Sequence, residues 1–159
     1  MAVEIADDFV VDLLNNRWDK NNTSQIKPTI KTKNELKSTN YMTDPSKGDL
    51  ISTYSKQDIP SIISLGATHR QVVYSVSIEL VVAMQGLDKP GTTKGRFKQH
   101  MDEIDRILNS QKKNPKIKDT DSIIFDFLNQ LGWIPLTSGY KGIYKWVCDI
   151  HLVKSSEAI

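Results

Sequence analysis

The sequence predicts an α+β fold: a single mixed, mainly antiparallel sheet with helices packed on one face. Three observations carry that expectation. From Gln71 to Met84 the chain alternates, with Val72, Tyr74, Val76, Ile78, Leu80, Val82 and Met84 on one side. Gln71, Ser75, Ser77 and Glu79 fall on the other, broken by Val73, Val81 and Ala83. A period of two held that long marks a central strand with one face on a core. Near the C-terminus, Tyr144, Trp146, Cys148, Ile150 and Leu152 alternate with Lys145, Asp149 and His151. Between these runs lies a stretch of helical spacing, and one sheet with helices on one face is the economical way to bury all three.

Taken in order, Ile5 to Trp18 reads as an amphipathic helix. Phe9, Val10, Leu13, Leu14 and Trp18 form its stripe, and acidic residues in the first turn suit the positive end of the dipole. Asn15-Asn16 and the polar run Asp19 to Ser24 end it. Residues 28–33 read as a short edge strand, where Pro28, Lys31 and Lys33 discourage edge-to-edge pairing. Residues 34–48 are polar, with a turn at 44–48. Asp49 to Ser55 is a short strand by its β-branched and aromatic content. Lys56 to Thr68 carries Ile59, Ile62, Ile63 and Leu65 without a clean period. A stretch that long and apolar either packs back on the core or is covered by another chain.

After the long strand, Gly86 to Gly91 turns the chain, and Thr92 or Thr93 can cap a helix from Lys94 to Ser110. Phe97, Met101, Ile104 and Leu108 form its single apolar stripe. Pro115 stops anything further. Asp121 then reads as the N-cap of a shorter helix, with Ile124, Phe127, Leu128 and Leu131 on one face and Gly132 as C-cap. A strand over Ser122 to Leu128 stays open as the alternative. Trp133 to Leu136 reads as a short strand, residues 138–142 as a turn and Gly142 to Lys154 as the closing strand. The tail from Ser155 to Ile159 is expected to fray.

A chain of 159 residues, 38% hydrophobic and 25% charged, is expected to form one domain, residues 1–159, with an adequate core. Its apolar runs fall far short of the ~20 residues that span a bilayer, so no membrane partner is expected. Glu4, Asp7 and Asp8 stand where a signal peptide would be basic, which points to a reducing cytoplasm. Cys148 has no partner for an internal disulfide and reads as a buried, inert thiol. A net charge of +2 does not by itself argue for nucleic acid. The distribution is uneven, however. Glu4, Asp7, Asp8 and Asp12 lie on the first helix, Lys20, Lys27, Lys31, Lys33 and Lys37 follow it, and Lys112, Lys113, Lys116 and Lys118 form a second cluster. These are either solvated surfaces or opposed patches that meet on neighbouring subunits.

Motifs of chemistry fail one by one. Gly86 to Thr93 imitates a phosphate loop, but Thr92 stands where the lysine belongs and Pro90 removes a backbone donor. His69, His100 and His151 come from different elements, and only Asp149 and His151 share a face, which reads as an exposed ion pair. Tyr144 and Trp146 lie on the core side of their strand, unlike the stacking aromatics of an RNA-binding sheet. No catalytic, cofactor-binding or metal-ligating residue is assigned.

The order of elements carries more. An acidic helix ends in Arg17-Trp18-Asp19, followed by Asn21-Asn22-Thr23-Ser24 and Lys27-Pro28-Thr29-Ile30. A long strand is entered by Gly66-Ala67-Thr68-His69-Arg70-Gln71, a charged helix ends in Ile107-Leu108, and Trp146 sits in a closing strand from Ile143 to Val153. Over nearly its whole length this pattern resembles the small tail terminator (tail completion) proteins of long-tailed phages and archaeal viruses, with head–tail joining proteins as near neighbours. The resemblance implies a virion structural protein, in the tail or neck and assembled in the host cytoplasm. Six copies would form a ring that caps the tail tube and offers a surface to the head connector. Its partners would be itself, the tail tube protein and the connector, with DNA met only through the ring lumen. The subunit interface would use Ile59, Ile62, Ile63, Leu65, Lys31, Lys33 and Arg70. Two other readings stay open: a nucleic-acid-binding module using basic segments 20–37 and 112–118, and a small enzyme with a site near Glu79, Asp149 and His151.

Overall fold

The computed structural model describes residues 2–23, 27–33, 49–55, 61–64, 69–83, 90–136 and 143–157. Helix α1 (Ala2–Arg17) is followed by a short 3-10 turn (Lys20–Thr23) and by strands β1 (Thr29–Thr32), β2 (Leu50–Ser55), β3 (Ser61–Ser64) and β4 (His69–Ala83). Helix α2 (Pro90–Ser110) and strands β5 (Phe127–Leu136) and β6 (Ile143–Glu157) complete the order. Five strands lie side by side as β1-β2-β4-β6-β5, and β3 pairs β4 beyond the end of β2. Only β1 and β2 run parallel; every other pair is antiparallel.

The expected long strands form the spine of this sheet. β4 and β6 stay in register from His69↔Glu157 to Ala83↔Ile143. Because side chains alternate, Val76, Ile78, Leu80 and Val82 share one face with Cys148, Ile150 and Leu152. Both helices pack on that face. Phe9, Val10, Leu13 and Leu14 of α1 and Phe97, Ile104, Ile107 and Leu108 of α2 join the strand residues in one core. Each such aliphatic side chain contributes about 1.5–3 kcal/mol by leaving water. The fold is therefore α+β, a mixed and mostly antiparallel open sheet with its helices on one side.

Several expectations are corrected. α2 starts at Pro90, not Lys94, so Thr92 and Thr93 lie inside the helix and a proline occupies its first position. The irregular stretch 56–68 contains β3, and the expected frayed tail continues as strand to Glu157. The largest change is at 121–132, where no helix forms. Residues 122–126 are irregular, and β5 runs from Phe127 to Leu136. The helical spacing of Ile124, Phe127, Leu128 and Leu131 loses to a tertiary demand: β6 needs a partner on its free side. Phe125 and Leu128 enter the core, Phe125 edge-on to Phe9 and Tyr74 with ring centroids 5.0 and 5.5 Å away. Asp126 locks the arrangement: its N–H donates to Val153 O at 2.8 Å, and its carboxylate accepts from Ser155 N at 2.6 Å.

Candidate assembly surface

The sequence puts Ser75, Ser77, Glu79, Lys145, Asp149 and His151 on the sheet face away from the helices, a face expected to be wet or to meet a partner. Its centre is dry. Ser77 and Ser52 are fully buried, and Glu79 is 2% exposed. Glu79 lies opposite Ser52 on β2 and Val147 on β6. Lys33 reaches one carboxylate oxygen at 2.9 Å and Lys145 the other at 2.8 Å. The Lys145 contact is an ion pair without a directed hydrogen bond, since Glu79 Oε1 has no hydrogen-bond partner. Lys33 also lies over the Tyr54 ring, 4.3 Å from its centroid. Two long alkyl stems thus cover a carboxylate that two ammonium groups neutralise. Asp149, expected to pair with His151, accepts a hydrogen bond from Ser77 Oγ at 2.6 Å. Of Glu79, Asp149 and His151, the first two are engaged by Lys33, Lys145 and Ser77.

Other buried polar groups are also engaged in holding elements together. Asp7 was expected on an acidic surface but faces β2, accepting from Ser55 Oγ at 2.6 Å while its carbonyl accepts from Thr53 at 3.3 Å. Glu103 of α2 receives both Arg106 nitrogens at 2.6 and 2.9 Å, the Asp19 N–H at 2.6 Å and Asn22 Nδ2 at 3.0 Å. Burial pushes the Glu103 carboxyl up, but those hydrogen bonds outweigh it and hold the group below the usual range. Arg106 in turn donates to Arg17 O, closing the end of α1. His100 and Asp49, both buried, meet at 2.7 Å beneath Trp18. Asp105 accepts from Gln130 Nε2 at 2.6 Å and Trp133 Nε1 at 2.8 Å, which fastens α2 to β5.

Arg17, Arg106, Lys118 and Asp119 line an open depression of ≈ 370 Å³. Its guanidinium groups are committed, Arg17 to Lys116 O and Asp119, and Arg106 to Glu103. Of the second basic cluster, Lys112, Lys113 and Lys118 are exposed. Among the described residues no three His, Cys, Asp or Glu side chains gather as a metal set, and no helix is long and apolar enough to cross a membrane.

The residues expected at an interface are scattered. Ile59 and Leu65 lie outside the described residues, as do Lys37 and Met84. Ile62 and Ile63 fall on β3, opposite Val72 and Gln71, and Ile62 is 60% exposed. Lys31 is exposed on β1, and Arg70 is exposed at the start of β4. Lys33, part-exposed, reaches in toward Glu79 at 2.9 Å.

The sequence reading found only the end of β5, the strand expected at Trp133 to Leu136, and read its first part as helix. This strand ends the sheet, and its ten residues, Phe-Leu-Asn-Gln-Leu-Gly-Trp-Ile-Pro-Leu, carry no charge. Lys112 O and the Lys113 bridge cover the outer side of its first two residues. Beyond them, among the described residues, the outer edge has no partner strand. Phe127, Leu131, Ile134 and Leu136 remain between 37 and 57% exposed, with Ile123 and Ile124 beside them. The absence of charge from residues 127–136 was visible in the letters. It carried no weight while those residues were read partly as helix.

No family model matches the chain and no curated protein matches it, so what it does has to be read from these surfaces.

Proposed function

We propose that this chain is a virion structural protein of the tail-terminator type, which closes with copies of itself into a ring that caps the tail tube and joins it to the head. The observation that carries the reading is the β5 edge: a long, uncharged strand with bare apolar side chains and, among the described residues, no partner strand beyond Leu128. Such an edge in a water-soluble chain is either covered in the working assembly or an aggregation hazard. The engagement of Glu79, Asp149, Glu103 and Asp105 in structural contacts also favours a role in fitting over one in chemistry.

The ring would hold six copies through a contact between unlike surfaces, whose rotation closes the assembly instead of extending it as a filament. Native mass spectrometry over a range of concentrations tests this. A closed six-copy species, which also binds the end of isolated tail tubes, is expected. A chain that stays monomeric at every concentration and ignores tubes would remove the reading. Binding to single-stranded or duplex DNA that weakens steeply with salt would favour the nucleic-acid alternative instead.

A further inference from the structure

The reading of the chain as a ring subunit leaves open which surfaces meet, and resting on that reading we propose that β3 of one copy adds as an antiparallel strand to the outer edge of β5 of its neighbour. Three features of the sheet point there.

The first is position. β4 pairs with β6 along its whole length, so β3 must lie on the opposite side of β4 from β6 and β5. β3 and β5 therefore sit toward opposite sides of the sheet, as a head-to-tail contact requires. The second is direction. β3 runs antiparallel to β4, whereas β5, two antiparallel steps away, runs with β4. If successive copies keep the same strand direction, the incoming β3 is antiparallel to β5, the more stable way to pair.

The third is chemistry. β3 is Ser-Ile-Ile-Ser, uncharged like β5, and among the described residues β4 is its only strand partner. On β5 the open segment runs from Asn129, just past the part covered by Lys112 and Lys113, to Ile134, just before Pro135, which has no N–H to donate. That window is six residues long and holds the bulge between Gln130 and Trp133, which a four-residue strand would have to span. In and beside that window Leu131, Ile134 and Leu136 are 47, 57 and 37% exposed, so pairing there would cover bare apolar surface.

The β1 edge is the poorer candidate for this role. Pro28 precedes it and Lys31 stands exposed on it, both of which oppose strand addition.

Site-specific crosslinking decides the matter. Ile62→Cys and Ile134→Cys proteins, each alone and then mixed, are treated with a short bismaleimide. The wild type serves as control, because burial pushes the Cys148 thiol up to about 11 and it should not react. Covalent pairs in the mixture and in neither single preparation are expected. Leu131→Cys in place of Ile134→Cys gives a second register and guards against a position that fails to assemble. Crosslinking of Ile134→Cys with itself would mean that β5 pairs with β5 about a two-fold axis, and would overturn the inference. Six-copy rings that crosslink in none of these combinations would overturn it too while leaving ring assembly standing. A wild-type chain with no assembled form would sink both.

Discussion

At one edge of the sheet, β1 is introduced by Pro28, shows Lys31 to solvent and is followed by Lys33, folded over Tyr54 toward Glu79. At the other, β5 offers ten uncharged residues, with Leu131, Ile134 and Leu136 bare. Both strands end the same sheet and face the same risk of unwanted pairing. One is guarded in three ways and the other hardly at all: a bulge between Gln130 and Trp133, and Pro135 near its end. The difference teaches that the exposure of β5 is not a general laxity of the fold. The contrast, drawn among the described residues, is what the proposed contact at β5 rests on.

Charging the bare edge should have the largest effect. Ile134→Lys removes an apolar side chain from the contact and puts a cation there, so self-association should weaken on the order of a hundredfold. Because Ile134 is exposed in the isolated chain, its melting temperature should move little. Sedimentation velocity and a thermal melt measure the two together, and a variant that assembles as well as the wild type would break the contrast between edges.

The next effect tests the guarded side. Glu79→Gln leaves Lys33 and Lys145 crowded over a neutral amide, and urea unfolding should show a loss of about 2 kcal/mol. A change under about 0.5 kcal/mol would mean that the centre of that face behaves as ordinary solvated surface. Asp105→Ala should cost about 1–2 kcal/mol by stripping Gln130 and Trp133 of their acceptor, with a shift in Trp emission as β5 loosens.

Acid offers a milder probe of the joint between the helices. The folded-state value of Glu103 is depressed below its ordinary 4.5, so its contribution is complete above that pH and fades as pH falls through and below it. Glu103→Gln should flatten the decline in the urea midpoint between pH 5 and 3 while lowering the midpoint at neutral pH. The smallest expected effect on stability is Lys31→Val, within about 0.5 kcal/mol. Its signature is association: with a guard removed, light scattering should detect concentration-dependent species that the wild type lacks.

Much of the architecture was legible. The alternation of Val76 to Val82 and of Trp146 to Leu152 dictates two long strands with one face on a core, and the stripes of α1 and α2 supply what covers it. The edge character of residues 28–33 followed from Pro28 and the lysines. Residues 121–132 misled because Ile124, Phe127, Leu128 and Leu131 satisfy a helical period by coincidence. Nothing local reveals that β6 will need a neighbour. The bare surface was sought around Ile59 to Leu65; within that group the described structure gives the exposure of Ile62, which is 60%. The dry centre around Glu79 escaped detection because alternation tells which face a residue occupies, not whether two distant lysines arch over it.

Amide hydrogen exchange followed as concentration rises, site by site, is the most direct probe of whether the two rims of the sheet have different fates. The backbone of residues 129–134, and of 61–64, should gain protection as copies assemble, while residues 29–32 exchange at an unchanged rate. Protection appearing at 29–32 instead, or assembly without any gain at 129–134, would contradict the account.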